Sequence, residues 1–131
     1  MTAGTAWADA ACDRFERTKP TRQDFGAASF DRFILRWGGL VADLKRGAIQ
    51  EDTPHAQEFV KAFANFHDAM AEYRRADSSD AVEAKERMLK VGIVAFRAAE
   101  RGGFRKCAAL IAGPQPLDQR EIADEVVRTG I

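Results

Sequence analysis

Residues 88–99, MLKVGIVAFRAA, are the feature that most constrains this chain. Apolar side chains fall on nearly every side of the helix that this stretch would form. A helix with almost no polar face has to be enclosed by neighbours. The remaining apolar residues repeat at three- and four-residue steps, and no run alternates with the period of two of a half-buried strand. The expectation is an all-α fold: a compact antiparallel bundle of five to six helices with one central apolar helix, and residues 1–131 in a single domain.

The helices can be placed in order. Residues 5–17 form the first, with Trp7, Ala11 and Phe15 as a narrow stripe, and Pro20 ends it by pushing its predecessor out of helical geometry. Thr21 and Asp24 cap the second, whose stripe is Phe30, Phe33, Ile34, Trp37, Leu40, Val41 and Leu44. Gly38-Gly39 interrupts it, which implies a kink or a close crossing, here with Gly92, and Gly47 supplies the stop. Thr53-Pro54 opens the third helix, with Phe59, Val60, Phe63, Phe66, Met70 and Tyr73 inward. Asp80 and Glu83 cap the fourth, which runs to about Arg101. The short turn before it makes a hairpin that sets Glu72 facing Lys85. Gly102-Gly103 breaks the chain before a short helix, Phe104–Ala112. Past Gly113-Pro114-Gln115-Pro116, Asp118 and Glu121 cap a last helix that turns Ile122, Ala123, Val126 and Val127 to one side. The expected core is Phe30, Ile34, Trp37, Val41, Phe59, Phe63, Phe66, Met70, Met88, Val91, Ala95 and Ala98.

Charge and cysteine content narrow the function classes. Twenty basic and twenty acidic side chains cancel, which disfavours a strongly electrostatic partner such as bulk DNA or an anionic membrane. No apolar stretch approaches the roughly 20 residues that span a bilayer. The start has no basic leader followed by an apolar run, and the expected address is cytoplasmic. Cys12 and Cys107 read as buried reduced thiols, with a disulfide joining the two ends of the chain as the alternative.

Catalytic constellations are not evident. His55 and His67 lack zinc-site spacing, and neither has the glutamate three residues earlier that di-iron bundles use. His67, beside Asp68, reads as a half-buried core histidine rather than a metal ligand or general base. A ligand-binding or catalytic bundle using His67 and a pocket at Gly38-Gly39 is the third-ranked reading. Cys107 follows Arg105 and Lys106, which would acidify a thiol, but it also fits the stripe Phe104, Cys107, Ala108, Ile111. Nucleophile-elbow and phosphate-loop motifs are absent. The expectation is no catalytic residue, no metal and no cofactor.

Two sets of residues carry the binding hypotheses. Trp7, Trp37 and Phe104 are the aromatics least secured by the stripes; each reads first as core, and as the alternative they are candidate anchors for a protein partner. Arg97, Arg101, Arg105, Lys106 and Arg120 are candidate phosphate contacts for a nucleic acid. Leu117–Val127, LDQREIADEVV, resembles the first helix of a helix-turn-helix reader. Val127 occupies the usual glycine position, and no recognition helix is expected after it, so no function is carried over. The expected function is non-enzymatic: a small helical protein acting through protein–protein interaction and self-associating as a homodimer or similar homo-oligomer. The alternative is a nucleic-acid-binding accessory or regulatory protein.

Overall fold

The computed structural model describes residues 3–18 and 27–112. They form five helices: α1 (Ala3–Thr18), α2 (Ala27–Glu51), α3 (Pro54–Arg75), α4 (Ala81–Gly102) and α5 (Arg105–Ala112). No strand occurs among the described residues. The expected sixth helix, with Arg120, lies outside them.

The helices pack in a ring. Each lies against its neighbours in chain order, and α5 closes the circle on α1. Paired residues give the directions. Trp7 lies on Gly47 while Phe15 meets Phe33 at 5.5 Å, so α1 and α2 are antiparallel. Phe30–Tyr73 and Trp37–Phe63 make α3 antiparallel to α2, and Glu58–Arg101 and Glu72–Arg87 do the same for α4 on α3. The hairpin contact expected at Lys85 is made instead by Arg87, whose Nε lies 3.8 Å from Glu72. α5 runs parallel to α1, with Phe104 against Trp7 and Cys107 against Cys12.

Trp37 occupies the middle. Its ring stacks on Phe33 and Phe63, meets Phe15 and Phe66 edge-on, and has no solvent-exposed surface. Its Nε1 donates to the Phe63 carbonyl oxygen at 3.3 Å. A buried indole N–H left without an acceptor would cost about 1–3 kcal/mol, so this bond fixes which way the ring faces. Of the expected core residues, Phe30, Ile34 and Val91 are only partly buried and the rest are buried. The run at 88–99 is not enclosed all round. Met88, Leu89, Gly92, Ile93, Ala95, Ala98 and Ala99 face inward, while Lys90, Val94 and Arg97 are exposed.

The helix ends show which local signals act. Thr53 caps α3 as expected: its Oγ1 accepts from the Ala56 N–H at 3.2 Å, with Pro54 in the first turn. Gly103 ends α4 at φ +78°, and the Gly103 and Phe104 N–H groups bond back to Glu100 and Ala99. Two other expectations are corrected. α2 does not stop at Gly47 but runs to Glu51 and ends on Asp52 at φ +47°, a conformation that aspartate tolerates. Asp80 precedes α4 without a side-chain capping bond. Asp77 organises that turn, its Oδ1 accepting from the Ser79 N–H, the Ser79 hydroxyl and the Asp80 N–H. The Ser79 hydroxyl first, then the backbone N–H groups, hold its carboxyl below 3.8.

Cys12 and Cys107 form a disulfide across 95 residues of sequence, which replaces the expected pair of reduced thiols. Both sit in buried helix faces, as their stripes implied, and those faces meet because α5 returns to α1.

Candidate interaction surfaces

The three aromatic candidates do not form an exposed patch. Trp37 is at the centre of the core, and Phe104 is 3% exposed, stacked on Phe59 at 4.2 Å. Trp7 is half-buried, edge-on to both Phe59 and Phe104. A small cluster in the core thus joins α1, α3 and the start of α5. Phe104 is buried because the Gly103 turn folds its ring over Gly102, where a Cβ would overlap it. Trp7 keeps one unsatisfied feature: its Nε1 is buried without a hydrogen-bond partner, as is Asp9 Oδ1.

The basic candidates are spread over two helices. Arg101 pairs with Glu58 at 2.7 Å and Lys106 with Asp13 at 3.6 Å. Arg97 and Arg105 are exposed. The glycine turn separates Arg101 from Arg105, so the four do not share one continuous helical stripe. Exposed pairs of this kind contribute about 0–1 kcal/mol each to stability, and they also offset local positive charge.

His67 is half-buried, with Nδ1 3.5 Å from Asp68 Oδ1. Its ring leans on Gly38, where a Cβ would come within 3.1 Å of Nε2. The preceding residue, Phe66, lies in the same way on Gly92. The expected Gly38–Gly92 approach is therefore made through α3: two successive side chains dock on backbones on either side. His67 thus fills the space beside Gly38, one of the two glycines of the expected pocket. His55 is exposed at the start of α3. Among the described residues no group of three or more His, Cys, Asp or Glu is placed to hold a metal ion, and no helix is long and apolar enough to cross a membrane.

Two surfaces lie outside the inward stripes. The first is the outward face of α2. Leu35 and Ile49 are each 76% exposed, and Ala42 between them is exposed as well. Their seven-residue spacing keeps all three on one line of the helix, about 21 Å long. That spacing was the available signal, but it falls outside the inward stripe and invites being read as noise. The second is an open groove of about 800 Å³ between α1 and α2. Ala11, Phe15, Gly39 and Leu40 line it together with Arg14, Arg17, Arg36 and Asp43.

Comparison with protein-family models, curated proteins and solved structures finds no match.

Proposed function

We propose that this protein is a non-enzymatic helical interaction module that self-associates through the outward face of α2. The observation that carries this reading is the pair Leu35 and Ile49, both on one line of the helix and both largely exposed. Scattered exposed aliphatics are ordinary, but an aligned pair flanking an exposed alanine makes a seam for another helix. The line Leu35–Ala42–Ile49 reads almost the same in both directions. Two copies related by a two-fold axis at Ala42 would set Leu35 of one opposite Ile49 of the other. Burying both aliphatics from each copy is worth roughly 1.5–3 kcal/mol per side chain before the cost of association.

The test is molar mass by light scattering on a sizing column. The wild type is expected to run as a dimer, and Leu35→Glu with Ile49→Glu as a monomer with unchanged helix content. A wild-type monomer at high concentration would overturn the reading. The disulfide favours an oxidising compartment over the cytoplasm, where thiols are held reduced.

A further inference from the structure

Lys45 and Asp68 carry opposite charges on neighbouring helices, and the bundle matches neither with an opposite full charge. Lys45 is exposed on α2 and forms no ion pair among the described residues. Asp68 is exposed on α3, its side chain 81% accessible, and its charged contact there is the His67 ring at 3.5 Å. Nearby charges on α2 are paired: Asp31 with Arg74, and Asp43 with Arg46.

The dimer seam on α2 brings these two charges together. With Leu35 opposite Ile49 and Ala42 on the two-fold axis, Gly38 and Gly39 of one copy come level with Arg46 and Lys45 of the other. Steps of about 100° per residue put Lys45 and Gly38 on one flank of the Ala42 line, and Arg46 and Gly39 on the other. The first flank is the α3 side, because His67 leans on Gly38 there. The second is the α1 side, where Arg14 lies 4.0 Å from Asp43. A two-fold axis brings like flanks together, so Lys45 of one copy passes over Gly38 of the other, beside His67 and Asp68. On the opposite flank Arg46 passes over Gly39, where a Cβ would meet nothing of its own chain within 4 Å.

We propose that Lys45 of one copy pairs with Asp68 of the other, twice per dimer, and that this pair sets the antiparallel register of the α2 seam. The proposal rests on the self-association through α2 put forward above, and it adds α3 to the interface. A second copy is the occupant that the charges favour. It brings a lysine to each exposed Asp68 and a carboxylate to each unpaired Lys45. Leu35 and Ile49 supply attraction with little direction, whereas opposed charges disfavour slipped and parallel arrangements.

Exchanging the charges in the intact, oxidised protein tests this, with dimer dissociation constants read by sedimentation at low salt. Lys45→Glu and Asp68→Lys each set like charges together twice per dimer. Each is expected to weaken the dimer at least about ten-fold with helix content unchanged. Mixed in equal amounts, the two variants should regain wild-type affinity, because in the mixed dimer each substituted position faces an opposite charge on the other copy. A pair acting within one chain would not be restored by mixing, and neither would a damaged fold. Dimers indifferent to both substitutions, or weakened variants that mixing does not rescue, would overturn the pairing and leave the α2 seam in place. A wild-type monomer, or a dimer that survives Leu35→Glu with Ile49→Glu, would remove the seam itself and the pairing with it.

Discussion

The Trp7 indole lies on Gly47 so closely that a Cβ there would fall well inside 3.0 Å of the ring. Gly47 sits inside α2, four residues before its end. It is a packing glycine, and the contact it permits lets the half-buried Trp7 reach Phe59 and Phe104. Two opposing effects meet at this position. Alanine would gain about 1 kcal/mol of helix propensity, but the ring body of Trp7 would have to move. Overpacking of this kind costs typically 1–3 kcal/mol. Gly47→Ala is therefore expected to destabilise the fold by about 1 kcal/mol, read as a lower urea midpoint. A higher midpoint would show that Trp7 is not seated as described.

The disulfide closes a loop of nearly the whole bundle. In the chain-entropy model a cross-link over about 100 residues is worth roughly 4–5 kcal/mol. Replacing Cys12 and Cys107 together by alanine should lower the unfolding free energy by about 3–5 kcal/mol in guanidinium titrations. Both sulfurs are fully buried, so reductant should act slowly on the native protein and quickly once denaturant is present.

Trp37 should be the most costly of the aromatic residues to lose. Trp37→Ala removes a ring surrounded by four aromatics, with an expected cost of about 3–5 kcal/mol. Trp37→Phe keeps much of the volume but loses the bond to the Phe63 carbonyl, and a smaller loss of about 1–3 kcal/mol is expected. Thermal melts of the two variants check the order. Fluorescence gives a second readout, since emission that survives in Trp7→Phe belongs to Trp37 and should resist acrylamide quenching.

The turn between α3 and α4 carries a small pH dependence. The carboxyl of Asp77 titrates below 3.8 in the folded protein because its charged form accepts the bonds from Ser79 and Asp80. A depressed folded value stabilises above the unfolded pKa and is lost as pH falls through the folded one. The contribution is thus present at neutral pH and is lost in acid, as pH falls from the ordinary aspartate value of 3.8 through the lower folded one. Comparing melts at about pH 6 and about pH 3, Asp77→Asn should show a smaller drop than wild type. An equal drop would mean that the turn does not depend on that charge.

Nucleic acid offers a contrasting test. Arg101 and Lys106 are matched by Glu58 and Asp13, and the remaining candidates do not form one stripe. No mobility shift of labelled DNA or RNA is expected even at low salt. A shift that weakens steeply as salt rises would favour the nucleic-acid reading instead.

Much of the architecture could be read from spacing alone, because periodicity reports burial and most of these helices bury one face. Phe59, Phe63, Phe66 and Met70 are all buried on α3, and Thr53-Pro54 begins that helix by its own capping chemistry. Glycine was harder to read, since one residue type serves several ends. Gly103 supplies a left-handed turn, whereas Gly47 and Gly92 make room for rings from other helices. Nothing local separates these uses. The Cys12–Cys107 bond was hidden for a related reason: a thiol on an inward stripe looks the same whether or not its partner arrives from 95 residues away. Glu72 finds Arg87 rather than Lys85 because hairpin pairing depends on the phase of two helices, which the turn residues do not fix. Leu35 and Ile49 were visible in the sequence but fell outside the inward pattern.

The bond between α1 and α5 also governs what a protease can release. A cut at the exposed stretch around Asp52 and Thr53 severs the backbone between α2 and α3, yet both halves stay tethered through sulfur. The nicked molecule would run as one band without reductant and as two fragments with it.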